Sequence, residues 1–183
     1  MAAHARPLRI CLTGPECTGK TTLAERLARE LGVAWVPEFA RQHAETCGHV
    51  LSADDVEPIA RGEMADLDRA KGDLVLLDTD LLSTVVYARY YYGACPAWIE
   101  AEALRRRAGL YLLLDTDLPW TTDPARDPSD ASREDLFDAF RATLDEFETH
   151  WQIISGVGEE RWERVREAVE RFRTDNPDQD VMT

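Results

Sequence analysis

Positive charge is scarce in this chain: 21 lysines and arginines stand against 35 aspartates and glutamates, a formal net charge of -14 over 183 residues. Affinity for duplexes comes largely from cationic groups that neutralise phosphates, so no nucleic-acid partner is expected and any phosphate site must be local. Cysteine is sparse as well. Cys11, Cys17, Cys47 and Cys95 form no CxxC pair, and the N-terminus carries no apolar stretch of the signal-peptide kind, which points to a reducing cytoplasm. No apolar run approaches the roughly 20 residues that span a bilayer, so no membrane partner is expected. His43, Cys47 and His49 lie close together but fall short of the four-ligand pattern of structural zinc, and no zinc site is read from them.

What is present describes a folded α/β unit. Hydrophobic residues make up 44% of the chain and charged residues 31%, which fits a globular domain with its own core. A single domain is expected over residues 1–174, with 175–183 as a frayed tail. Apolar runs of strand length at Leu8 to Thr13, Val33 to Val36, Leu74 to Leu77, Leu110 to Leu114 and, more weakly, Trp151 to Ser155 alternate with helical patterns. Helix signals include Ser52 before Asp54 and Asp55, Gly93 after Leu82 to Tyr92, and Ser132 before Asp135. This alternation predicts a parallel sheet covered on both faces. The aspartate-rich segment from Asp115 to Asp130, with three prolines, breaks the rhythm and is expected to be a lid loop.

The most specific segment is Gly14-Pro15-Glu16-Cys17-Thr18-Gly19-Lys20-Thr21, which fits G-x-x-x-x-G-K-[ST]. An apolar strand precedes it and an amphipathic helix with Leu23, Leu27 and Leu31 on one face follows it, the context the motif requires. In such a loop backbone N–H groups wrap the phosphates of a nucleoside triphosphate, the helix N-terminus points its dipole at the anion, and Lys20 reaches the outer phosphates. The Thr21 hydroxyl is then a magnesium ligand. MgATP is the expected ligand pair, held by Gly14, Glu16, Cys17, Thr18, Gly19, Lys20, Thr21 and Thr22.

Carboxylates at the C-terminal ends of the strands supply the remaining chemistry. The runs Leu76 to Leu81 and Leu113 to Leu118 echo one another, each a strand ending in aspartate where α/β folds place ligands. Asp78 is read as the metal-shell carboxylate facing Thr21, while Asp80, just before Leu81 and Leu82, suits a helix cap. Glu38 after the second strand reads either as the base that takes a proton from a phosphoryl acceptor or as a first-turn glutamate favouring the helix dipole. Arg126 and Arg133 flank the expected lid and read either as guanidinium groups closing on the transferring phosphoryl or as surface partners of Asp123, Asp127 and Glu134. The tyrosine stripe of Tyr87, Tyr90, Tyr91 and Tyr92 is read as core or as a face for a second copy of the chain. Ser155-Gly156-Val157-Gly158 reads as a passage for adenine or an ordinary turn, and the Glu159 to Arg173 helix as a solvated face.

Taken together these segments resemble the ribosylnicotinamide kinase domain of NadR-type proteins and related P-loop ATPases of the AAA family. The resemblance rests on Gly14 to Thr22, on Val36-Pro37-Glu38-Phe39-Ala40-Arg41, on Asp78-Thr79-Asp80-Leu81-Leu82-Ser83-Thr84, and on Asp117-Leu118-Pro119-Trp120 followed by Asp123 and Arg126. It implies a P-loop kinase-type α/β fold, a five-stranded parallel sheet in the order 2-3-1-4-5. It also implies phosphorylation of nicotinamide riboside to the mononucleotide, with a regulatory or switch ATPase, or a kinase for another nucleoside-like acceptor, as the alternative. Lys20, Glu38, Asp78 and Arg126 would be the catalytic set, with Arg126 also on ATP. Glu38, Arg41, Asp80, Trp120 and Asp123 would face the acceptor. No DNA-binding segment or adenylyltransferase domain of the family is expected within these residues, and a homo-oligomer is left open.

Overall fold

The computed structural model describes residues 7–119 and 132–177. Its centre is a five-stranded parallel sheet: β1 (Leu8–Thr13), β2 (Ala34–Val36), β3 (Leu74–Asp78), β4 (Leu110–Leu114) and β5 (Trp151–Ile154) in the order β2-β3-β1-β4-β5. The central strands β3 and β4 are buried along their whole length, as their unbroken apolar runs require of strands covered on both faces.

Side-chain alternation divides the interior into two cores. One face carries Ile10, Leu12, Leu76, Leu112 and Leu114 against the helices α1 (Lys20–Leu31) and α7 (Gly158–Asp175). The other carries Cys11, Leu77, Tyr111 and Leu113 against α3 (Val56–Arg69), α4 (Leu81–Tyr92), α5 (Ala97–Arg106) and α6 (Ser132–Glu146). Helix α4 is apolar around most of its circumference and lies deepest, since a helix without a polar face must be packed on all sides. The short α2 (Phe39–Cys47) rests on α3 through Gly62, where an added Cβ would come within 2.1 Å of the Phe39 ring.

Several boundaries move from those expected. Val33 is taken up in closing α1, its N–H bonding Ala28 O, so β2 starts one residue later. Strand β3 gains Asp78, paired with Leu12 of β1, and β5 ends before Ser155. Helix α7 reaches Asp175, the first residue of the expected tail, because Val165, Val169 and Phe172 continue its buried stripe. Most of the expected lid, residues 120–131, lies outside the described residues, as do 178–183. Among the described residues no helix is long and apolar enough to cross a membrane.

Candidate active site

The loop between β1 and α1 sits at the C-terminal edge of the sheet. Gly14 has φ 130°, and a Cβ there would approach Leu114 O to 2.9 Å, so only glycine lets the loop leave β1 beside β4. Cys17 and Gly19 also take positive φ, at 58° and 85°, the left-handed backbone conformation from which anion-binding nests are built. The buried Thr18 hydroxyl donates to Pro15 O at 2.9 Å and holds the curve. Glu16 and Cys17 are partly exposed, and Thr22 faces outward from the first turn of α1.

Lys20 opens α1 and is buried, with Nζ donating to Gly14 O at 2.9 Å and Pro15 O at 2.8 Å. The ammonium thus lies across the mouth of the loop. One residue on, Thr21 Oγ1 donates to Asp78 Oδ2 at 2.6 Å, joining the start of α1 to the end of β3. Asp78 is 1% exposed, and its other oxygen, Oδ1, is buried with no hydrogen-bond partner among the described residues. Burial pushes its carboxyl up, opposed by the Thr21 hydroxyl and the Lys20 charge. A hydroxyl and a carboxylate oxygen lacking a partner are oxygen ligands of the kind Mg²⁺ takes beside bound phosphates, so Thr21 and Asp78 fit that ion.

The end of β2 lies beside the end of β3, with Val36 paired to Leu77. That register carries Glu38 next to Asp78 and Thr79. Glu38 is 5% exposed, stands at the N-terminus of α2 and faces Arg41 Nε at 3.7 Å. Behind it is a carboxylate that sequence reasoning missed. Glu63 on α3 is buried, accepts a 2.8 Å hydrogen bond from the Thr84 hydroxyl, and is pushed up to about 8 by burial. Nothing local distinguishes a buried glutamate from one on the solvent face.

Asp80 takes the capping role. Its Oδ1 accepts from Leu82 N at 3.1 Å and its Oδ2 from the Tyr111 hydroxyl at 2.6 Å, so both oxygens are engaged below the site. The geometry therefore ties Asp80 to α4 and β4 rather than to an acceptor. Thr79 between the two aspartates has φ 68°, a backbone twist that separates their directions.

Arg161 was read as part of a solvated face, and the structure overturns this. It is 2% exposed and donates to three backbone carbonyls: Thr18 O at 2.6 Å, Gly156 O at 2.6 Å and Asp115 O at 3.1 Å. It also pairs with Asp117, which in turn accepts from Gly156 N. One guanidinium from α7 thus fastens the phosphate loop to the ends of β4 and β5. Arg133 is likewise buried and donates to Leu118 O and Thr116 O, anchoring the start of the loop after β4. Trp120, Asp123 and Arg126 lie outside the described residues.

A cavity of about 310 Å³ opens beside the phosphate loop, with Glu16 on one side and Ala40, Leu51, Ile59, Thr84, Tyr87 and Tyr91 around it. Tyr87 and Tyr91 present parallel rings, 6.1 Å between centroids and 2° between planes, and the Tyr87 hydroxyl approaches Gly14 O at 3.4 Å. The tyrosine stripe is therefore neither simply core nor simply surface: part of it walls a cavity that begins at the P-loop.

A family model described as an AAA domain, AAA_28, matches residues 9–161. The chain belongs to this family. It is 27% identical over 124 residues to the trifunctional NAD biosynthesis/regulator protein NadR of Salmonella typhimurium and to that of Escherichia coli, a match covering 64% of this chain and 30% of theirs. Its fold is that of NadR in a crystal structure with NR, at a TM-score of 0.75 and 24% identity, over 91% of this chain and 51% of that one. A NadR structure with NAD and AMP-PNP gives 0.75 at 23% identity, over 97% and 51%. Thymidylate kinase from Ehrlichia chaffeensis shares the fold at 0.65 and 15% identity, over 91% of this chain and all of its own. The chain thus spans about half the length of the NadR structures and less of the curated relatives.

Proposed function

We propose that this chain is an ATP-dependent kinase that transfers the γ-phosphoryl group of ATP to a hydroxyl of a nucleoside-like small molecule, with nicotinamide riboside as acceptor and the mononucleotide as product. The observation that carries this reading is an aromatic-walled cavity, lined by Glu16, Tyr87 and Tyr91, that opens from the phosphate loop itself. A nucleotide switch needs the triphosphate and a movable segment, whereas a kinase needs a second compartment for its acceptor. NadR's complexes with NR and with AMP-PNP support the choice of acceptor and donor.

In this reading the loop amides and Lys20 hold the phosphates and the charge that spreads over the transferring group. Thr21 and Asp78 would hold magnesium, which would supply charge neutralisation at the phosphates. Glu38 accepts the acceptor hydroxyl's proton as its oxygen attacks phosphorus, and Arg41 beside it steadies that carboxylate. Trp120, Asp123 and Arg126 complete the acceptor and lid side as the family resemblance implies. ADP release measured with and without nicotinamide riboside tests the proposal. Acceptor-dependent ADP with a matching amount of mononucleotide is the expected result. Slow turnover indifferent to any nucleoside would instead make the protein a switch ATPase, and turnover with a different nucleoside alone would reassign the acceptor.

A further inference from the structure

The short run of His43, Cys47 and His49 gains in three dimensions what it lacks in sequence. His43 and Cys47 lie one turn apart on the same side of α2. Gly48 ends the helix with φ 68° and turns the chain back, so that His49 comes over Asp55, the last residue of a single 3₁₀ turn (Ala53–Asp55) that leads into α3. Ligand atoms of His43, Cys47 and Asp55 all lie within 4.8 Å of one another. His43 Nε2 is 2.8 Å from Asp55 Oδ1, and His49 Nε2 is 3.2 Å from Asp55 Oδ2.

We propose that His43, Cys47, His49 and Asp55 form a binding site for one borderline-soft divalent cation, zinc by its donor set. Two imidazoles, a thiolate and a carboxylate are the ligands of a closed, four-coordinate zinc centre. Zinc bonds of about 2.0 to 2.3 Å place tetrahedral ligand atoms about 3.3 to 3.8 Å apart, so His43 and Asp55 would part slightly and His49, outside the three-residue cluster, would turn in from its contact with Asp55.

Two features of the hydrogen bonding point to a cation. Asp55 is 7% exposed, yet its partners are Ser52, His43 and His49, with no lysine or arginine among them. A carboxylate so placed lacks a permanent counter-charge. His49 Nδ1 faces Cys47 O at 3.3 Å, an acceptor, so that nitrogen carries the proton. Nε2 facing Asp55 is satisfied either by a proton, as in the imidazolium, or by a metal ion taken up between the two groups in place of that proton. The Cys47 carbonyl orients the imidazole from behind as outer-shell acceptors do. Such an ion would tie the end of α2 to the start of α3, and Val50, Leu51 and Ser52, which lie between the ligands in the chain, wall the cavity beside the P-loop.

Cobalt(II) titrated into the chelator-stripped full chain is the test, because its spectrum reports both sulfur ligation and geometry. One equivalent is expected to produce sulfur-to-cobalt charge transfer and the strong visible bands of a tetrahedral centre, displaced by zinc. Both features should vanish in Cys47→Ser and persist in Cys95→Ser and Asp78→Asn. His49→Ala, at an exposed position, should weaken the metal at least about tenfold, and zinc should raise the melting temperature of the parent but not of Cys47→Ser. Absence of sulfur charge transfer, its persistence in Cys47→Ser, or an unchanged affinity in His49→Ala would each overturn the site.

Discussion

Thr21 and Asp78, 57 residues apart, are joined by a 2.6 Å hydrogen bond that closes the seam between α1 and β3. Only one carboxylate oxygen takes part, and the other, buried, has no hydrogen-bond partner among the described residues. The pair therefore leaves a buried carboxylate oxygen that, with the Thr21 hydroxyl, would hold magnesium and supply charge neutralisation for bound phosphates.

Asp78→Asn keeps the shape and one oxygen acceptor but removes the charge. The magnesium concentration needed for half-maximal activity should rise about tenfold or more, with little change in melting temperature. A magnesium titration of both proteins decides it, and an unchanged midpoint would restrict Asp78 to fixing Thr21.

Glu38→Gln removes the proposed proton acceptor after β2 while leaving a group that still hydrogen-bonds. Turnover should fall about a hundredfold with ATP affinity nearly unchanged. Steady-state kinetics beside calorimetric ATP titration separates this from a structural role, in which both quantities would fall together.

Glu63 makes stability depend on pH with a definite sign. Its carboxyl ionises near 4.5 in the unfolded chain and at about 8 when buried beside Thr84. Between those values the folded state keeps a proton that the unfolded state has released, so this group's contribution to stability falls as pH rises. Glu63→Gln, which preserves an acceptor for Thr84, should flatten the decline between about pH 5 and 8 and stabilise the protein at the upper end. Urea unfolding across that range measures it, and parallel curves for the two proteins would refute the assignment.

Arg161→Met leaves three carbonyls and Asp117 without their shared donor. Unfolding free energy should drop by roughly 3 kcal/mol, as when one partner of a buried ion pair is removed. ATP affinity should drop as well, because the fastened segment includes Thr18 of the phosphate loop. Arg161→Lys should recover only part, since an ammonium cannot reach three carbonyls in one plane. Loss of stability with ATP binding intact would show that the loop holds its form without the clamp.

How much of this was legible in the chain depends on distance along it. The phosphate loop was readable because every part, from the strand Leu8 to Thr13 through Gly14 and Gly19 to the stripe of Leu23 and Leu27, lies within some 20 residues and acts through backbone geometry that glycine alone allows. The inner strands β1, β3 and β4 were readable because runs covered on both faces are apolar almost throughout, whereas the partly buried edge strands β2 and β5 left shorter, weaker runs. Where a strand ended or a helix stopped was settled by neighbours, as when Asp78 joined β3 by pairing with Leu12.

By itself the sequence determined the order of elements, the phosphate loop and the carboxylates at the strand ends, because these follow from local periodicity and backbone preference. Only the tertiary structure decided that Arg161 turns inward, that Glu63 is buried, that Tyr87 and Tyr91 wall a cavity, and that Asp55 meets His43 and His49. The physical reason is that a charged or aromatic side chain is equally compatible with water and with a partnered interior. The packing of helices distant in sequence selects between the two, and amphipathic patterning records only which face of each helix turns inward.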